Sequence, residues 1–242
     1  MFIDVHSHVV PSGDDGVRSV EEGLGLCREA AARGTETLVA TPHVWRELTL
    51  TPERERAVRA AYDQMAPQAT EWGLDLQLGF ELSPAPALLD DDMHRYRLGR
   101  FAAVLLELPF HGSIALAERL AEHVEGAGLV PVIAHPERSE RVIDDPAIAR
   151  GLRERGWLLQ VNATSLLGYH GPEPEATAWQ LVAEDDVIDL VASDAHRAAR
   201  PPFLDEAYRL VRERAGERAD ALFSGAALAL PAGDRVDLAQ RR

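Results

Sequence analysis

Histidines and carboxylates recur along this sequence at positions that suit metal chemistry. His6 and His8 form a His-x-His pair, Asp15 lies in the loop after them, and Asp194 with His196 repeats the alternate spacing near the other end. Side chains of an extended chain alternate faces, so each such pair points to one side. Between the pairs come His43, Glu81, Glu107 and His135, each just after a short apolar run. A single buried histidine is more often a hydrogen-bonded core residue than a ligand. This many ionisable groups brought together would need a cation to offset their desolvation. Imidazole with carboxylate and no thiolate suits manganese, iron(II) or zinc. Two or three such ions can share a bridging carboxylate, acidify a bridging water and clamp phosphate oxygens.

The basic residues narrow the chemistry further. All 25 are arginine, which removes Schiff-base catalysis by a lysine amine and any metal site bridged by a carboxylated lysine. Arginine grips phosphate in bidentate fashion. Arg138 follows His135 closely and Arg200 lies just past the second ligand pair, so both are candidates for a charge-assisted phosphate clamp. Arg141 reads as a surface residue. His94 and His123 fall in helical patterns and read as solvated, whereas His111 and His170 fall on loops near the expected mouth. Trp45, Phe110 and Tyr169 are its candidate aromatics. The lone cysteine, Cys27, lies inside a helical pattern with no phosphate-binding loop after it, which speaks against a cysteine-phosphatase mechanism.

What must position these groups is a strand–helix alternation. Strands are expected at Phe2–Val5, Thr37–Ala40, Leu74–Leu78, Ala102–Leu106, Val130–Ala134, Leu158–Val161 and Val187–Ala192. The intervening segments carry apolar residues at three- and four-residue spacing, as in Val20, Leu24, Cys27 and Ala31. Ser19 with Glu22 predicts a capping box at the first helix, and Gly34 its stop. Pro52 and Glu53 open a long helix running towards Trp72 and Gly73, and Pro146 and Pro174 begin two later ones. Such repetition implies parallel crossovers in an α/β barrel or an open doubly wound sheet. About seven strands suit an irregular barrel. In both folds the C-terminal strand ends converge on one face, where ligands bind. Every candidate ligand, together with Gln160 and Asn162 of the sixth strand, falls at that end. The pattern fades after about Asp220, where a short helix and a loose end are expected.

Composition sets the outer bounds. A chain of 242 residues that is 46% hydrophobic and 27% charged is ordinary for a soluble protein with one large core. No apolar run approaches the roughly 20 residues needed to cross a bilayer, and the N-terminus lacks signal-peptide features. A cytoplasmic location without membrane insertion is expected. A net charge of −15 argues against nucleic acid as a partner.

Seven segments, MFIDVHSHVVPSGDDG, ATPHV, GFELSP, LLELPF, IAHPER, QVNATSLLG and ASDAHRAARPPF, together resemble the polymerase and histidinol phosphatase (PHP) family. Within it they look most like the bacterial manganese-dependent tyrosine phosphatases associated with capsule and exopolysaccharide control. The likeness runs in order from Met1 to about Leu210. It implies one PHP-type domain over residues 1–242, folded as a distorted (β/α)7 barrel holding up to three manganese ions, with iron(II) or zinc as substitutes. His6, His8, Glu81 and Asp194 would bind one ion, and Glu81, Glu107 and His135 a second. Asp15, His43 and His196 would hold the third, with His196, Arg138 and Arg200 taking part in catalysis. Asp14, in the family's Asp-Asp-Gly turn, reads equally as a turn residue or as support for a ligand. The family's usual Asn-Pro near the C-terminus is replaced by ALFSGAALALPAG. The implied reaction is hydrolysis of phosphotyrosine by a metal-activated water without a phosphoenzyme, on a protein partner such as a bacterial tyrosine kinase. The rival readings are a PHP phosphatase of histidinol phosphate or another small monoester, a barrel hydrolase of amides or phosphodiesters, and a non-catalytic metal-binding regulatory module.

Overall fold

The structure, a computed structural model, describes residues 1–184 and 186–229. Its strands are β1 (Phe2–Ser7), β2 (Thr35–Ala40), β3 (His43–Val44), β4 (Asp75–Leu78), β5 (Glu81–Leu82), β6 (Ala103–Glu107), β7 (Val130–Ala134), β8 (Leu158–Asn162) and β9 (Leu190–Ala192). All pair in parallel, β1-β2-β4 in one ladder and β3-β5-β6-β7-β8-β9 in another. The two ladders are one wall. β3 continues β2 and β5 continues β4, and the break between them is spanned by the bonds Gly79 N to Ala40 O (2.8 Å) and Glu81 N to Pro42 O (3.2 Å). β9 returns to β1 through a parallel bridge at Ser7 and Ala195, with Asp194 N donating to His6 O at 2.9 Å. Seven strand positions thus close into a barrel, as the resemblance implied.

The differences from the sequence expectation are local. The second and third strands each break in two because Pro42 and Gly79 interrupt them, so His43 and Glu81 sit on short strands of their own. The last strand begins at Leu190 rather than Val187.

Alternation sorts the apolar residues into two layers. Val5, Val39, Leu105, Val130, Val132, Leu158, Leu190 and Ala192 fill the barrel interior. Val104, Leu106, Ile133, Leu159 and Val191 face outward and join the larger core under the helices. The helix starts follow their caps. In α1 (Val20–Ala32) the Ser19 side chain accepts from Glu22 N at 3.2 Å. The reciprocal half of the box is displaced, since the Glu22 carboxylate takes Arg18 N instead. In α2 (Pro52–Thr70) the cap is Thr51, accepting from Arg54 N. Pro146 immediately precedes the helix Ala147–Glu154, whereas the helix Pro172–Ala183 starts two residues ahead of Pro174. The expected short helix near Asp220 is Arg218–Phe223; the expected loose end beyond Ala229 lies outside the described residues. Among the described residues no helix is long and apolar enough to cross a membrane.

One close approach governs how the first helix seats against the site. A Cβ at Gly23 of α1 would stand 2.1 Å from Val9 O, in the chain just after His8. Gly23→Ala improves helix propensity by about 1 kcal/mol, yet it must displace that backbone. We expect a net loss of about 1–3 kcal/mol in urea unfolding. A gain in stability would show that the helix shifts freely.

Candidate metal centre

Strand geometry aims most of the predicted residues at one point. Glu107 shares the inward face of β6 with Ala103 and Leu105, and Asp194 continues the parity of Leu190 and Ala192. His43 and Glu81 oppose Val44 and Leu82, which belong to the outer core. His6 and His135 break the rule. His6 directly follows inward-facing Val5, and the β1–β2 register is irregular between Asp4 and Ser7. His135 follows outward Ile133 by two residues, but its backbone is left-handed, with φ at 33°; Asp194 is left-handed as well, at 52°. Non-glycine residues in that region cost about 1–3 kcal/mol each. Here both are candidate ligands at strand ends.

The result is a buried cluster centred on Glu81. Its Oε2 lies 3.0 Å from His6 Nε2, 3.2 Å from His8 Nε2 and 3.1 Å from His43 Nδ1, and its Oε1 lies 3.0 Å from His135 Nε2. His6 Nε2 is 3.2 Å from His8 Nε2 and 3.3 Å from Asp194 Oδ1. At the outer edge Asp15 Oδ1 is 3.3 Å from His196 Nε2 and 3.6 Å from His43 Nε2. Glu107 Oε2 stands 3.9 Å from His135 Nε2. A cation with bonds of about 2.1 Å sets adjacent ligand atoms about 3.0–3.4 Å apart, so the donor spacing fits. The ring atoms His43 Nδ1 and His196 Nε2 are buried without hydrogen-bond partners despite nearby carboxylates. A buried imidazole nitrogen in that state is available as a metal ligand. Four groups offer ligand atoms mutually within 4.8 Å: His8, Asp15, His43 and His196; His6, His8 and Glu81; His6, His135 and Asp194; and Glu81, Glu107 and His135. All nine candidates therefore converge. His8 reaches the outermost group as well as its expected partners.

Protons reveal the same pressure. Burial would raise Glu81, but the imidazoles of His6 and His43 outweigh it and hold the carboxyl well below its ordinary range. Burial, joined by repulsion from Glu81, pushes Glu107 up to about 8. Burial pulls His43 down to about 4, while carboxylates keep His8 well above its usual value against the same burial. Bound cations would take over the charge balance that these protons supply here.

Around the cluster, hydrogen bonds fix ring and carboxylate orientation. Gln160 Oε1 lies 2.9 Å from His6 Nδ1, its amide donates to Asn162 Oδ1, and Asn162 donates to Asp194 Oδ2 at 2.8 Å. Asp14 settles as a supporting residue: it takes His43 N at 2.9 Å, takes Gly16 N at 3.0 Å, and stands 3.5 Å from His8 Nδ1. Sequence reasoning missed several others. Asp4 Oδ1 accepts from Ser193 N, tying β1 to β9. Ser83 donates a very short bond to Glu107. Glu137 is fully buried and accepts from Asn162 N. Arg54 of α2 donates to the carbonyls of Ser12, His43 and Leu48, bracing the loops that carry Asp15 and His43. A charged residue inside an apolar strand was the available signal for Asp4. The Arg54 brace has none, because backbone acceptors leave no mark in sequence.

The cluster opens into a cavity of about 350 Å³ lined by Asp15, His43, Glu107, His135, Asp194 and His196, with Arg138, Arg200, His170, Trp45 and Phe110 completing its walls. Arg138 and Arg200 each place Nη1 3.2 Å from Asp194 Oδ2, and Arg138 lies 4.6 Å over the Phe110 ring. His170, held by Thr164 at 2.9 Å, belongs to this wall. His111 does not line it: that side chain is 86% exposed and pairs with Glu140. Tyr169 also stands outside it, half exposed. Arg141 and His94 are exposed as expected. His123 is not simply solvated, since its Nε2 lies 3.0 Å from Asp91 O. Cys27 is buried, and burial pushes its thiol up to about 12, far from a nucleophile.

The family described as capsular polysaccharide synthesis, CpsB/CapC, matches residues 2–229. The chain belongs to the CpsB/CapC family. Among its relatives, tyrosine-protein phosphatase YwqE of Bacillus subtilis is 32% identical over 81% of this chain and 77% of its own length. Tyrosine-protein phosphatase CpsB of Streptococcus pneumoniae is 30% identical over 90% of this chain and 92% of its own. A solved structure from work on those two enzymes, described as unique metal-dependent tyrosine phosphatases, superposes with a TM-score of 0.80 at 29% identity, covering 97% of this chain and 94% of that one. A lactonase from Listeria monocytogenes, at 14% identity and a TM-score of 0.61, shares the fold.

In this CpsB/CapC chain Asp14 offers a clean test of support without ligation. Asp14→Ala is expected to weaken manganese binding about 10–100-fold, read by titration calorimetry, with the circular dichroism spectrum retained. Unchanged affinity would reduce Asp14 to a turn former.

Proposed function

We propose that this chain is a metal-dependent protein-tyrosine phosphatase that hydrolyses phosphotyrosine monoesters. The observation that carries the proposal is that the nine-residue donor cluster opens, through six of its members, into a cavity that also holds two arginines and two aromatic walls. In our reading His6, His8, Glu81 and Asp194 hold one ion, Glu81, Glu107 and His135 a second, and Asp15, His43 and His196 a third. Bound there, the ions supply an activated water and neutralise charge on the phosphoryl oxygens. Manganese suits these nitrogen and oxygen donors, in up to three positions.

The chain's own residues do the rest. Arg138 and Arg200 present guanidinium groups at the cavity wall, where they take the equatorial phosphoryl oxygens. Both already share Asp194 Oδ2, an arrangement that leaves Oδ1 to the histidines. Trp45 and Phe110 flank the cavity, giving the phenyl ring of a tyrosine apolar faces to lie against. The phenol that leaves has a pKa of about 10, so it departs with less help from a proton donor than an alkoxide would need. His196, at the outer edge near Asp15 and Arg200, would act as a ligand and lines the cavity that receives the substrate. The protein substrate we propose is a bacterial tyrosine kinase in capsule or exopolysaccharide control. The setting is cytoplasmic, and residues 1–242 act as one domain.

Metal analysis coupled to a phosphotyrosine-peptide assay tests this. The protein supplemented with manganese is expected to hydrolyse the peptide in preference to an alkyl phosphate, and chelator is expected to abolish turnover. Cys27→Ser is expected to keep activity, and Arg200→Ala to lower kcat/KM about 100-fold, with lysine unable to restore the bidentate grip. Full activity in excess chelator, or neither bound metal nor turnover, would overturn the proposal.

A further inference from the structure

Beside the metal-lined cavity lies a second one, of about 480 Å³, that the chemistry above does not use. Trp45 belongs to the walls of both. Its indole packs against His43 with ring centroids 4.9 Å apart, and a turn closed by Leu48 N to Trp45 O holds its backbone. Behind it, Leu50, Ala85, Leu88 and Tyr96 make an apolar, buried lining. Thr49, Pro86 and Ala87 are exposed at the rim, so the cavity opens to solvent. The one carboxylate in the wall, Asp91, is already engaged: Arg95 meets both its oxygens at 3.0 Å and the Tyr96 hydroxyl donates a very short bond to it. The charge left over is positive. Arg46 is exposed at the rim and has no ion pair among the described residues.

We infer that this second cavity is a specificity subsite, which seats an aliphatic or aromatic side chain two residues from the phosphotyrosine of an extended protein substrate. The inference rests on the phosphatase reading above. In an extended chain side chains two positions apart share a face and lie about 7 Å from one another, which suits two cavities that share Trp45 in their walls. An apolar pocket with its only carboxylate neutralised rejects a charged side chain and takes a hydrophobic one. Arg46 at the rim favours acidic residues outside the pocket, as a segment bearing phosphate and carboxylates would provide. A small aryl phosphate reaches only the metal-lined cavity and gains nothing from the second.

Three phosphotyrosine peptides with leucine, alanine or glutamate at both positions two residues from the phosphotyrosine test this, each assayed with the manganese-loaded protein. The leucine peptide is expected to exceed the alanine peptide about tenfold in kcat/KM, with glutamate lowest. In Ala87→Trp, which fills the mouth from an exposed position, the leucine-over-alanine ratio is expected to fall towards one. Anisotropy of the labelled peptides on the same protein reads the contrast without turnover. Equal kcat/KM and equal binding for leucine and alanine peptides would overturn the subsite while leaving the phosphatase intact. A leucine preference in binding with no hydrolysis would keep the subsite and overturn the phosphatase.

Discussion

The structure depends on how a fully buried carboxylate is kept charged. Glu81 is sealed from solvent and touched by four imidazoles, those of His6, His8, His43 and His135. An isolated carboxylate at such depth would neutralise itself. It stays ionised because the barrel brings those four rings to it from three other strand positions. Three of the rings, those of His6, His8 and His135, are themselves buried beside it. Removing one member would strand the others, so the cluster constrains the closure of the barrel as much as the barrel constrains the cluster.

That constraint explains where the backbone departs from regularity. The β1–β2 irregularity before Ser7 and the left-handed residues His135 and Asp194 all occur at the cluster. A regular seven-strand wall would turn His6 and His135 outward. The local strain is held by what surrounds it. Asp4 ties β1 to the segment after β9, Asn162 donates to both Glu137 and Asp194, and Arg54 pins two segments through their carbonyls. Precision at the site is thus set by groups that never face the cavity.

The same economy governs charge. With a net charge of −15 and no lysine, the protein would repel a phosphorylated acidic segment over much of its surface. Positive charge is nonetheless present at the mouth, where Arg138 and Arg200 line the metal-lined cavity with Trp45 and Phe110, and Arg46 lines the neighbouring one. Two arginines, two aromatic side chains and an apolar neighbouring cavity are thereby set side by side around Trp45.

Much of this could be read from the sequence. The placement of His6, His8, His43, Glu81, Glu107, His135 and Asp194 after short apolar runs pointed to a parallel α/β fold and to the candidate ligands together, because parallel strands end on one face, and the family resemblance chose the barrel over the open sheet. The order of helices followed from local signals, Ser19, Pro52, Pro146 and Gly34, which act through near neighbours. Tertiary structure alone decided the rest. That four imidazoles close on the Glu81 carboxylate, that Asp14 takes the backbone N–H of His43, and that His170 lines the cavity while His111 leaves it are all outcomes of residues far apart in sequence meeting in space. So is the division of aromatic residues, in which Trp45 and Phe110 face the site and Tyr169 does not. Alternation gives a side chain its face. It does not give the irregular turn that reverses that face at His6 and His135, because that turn is stabilised only by contacts formed once the barrel has closed.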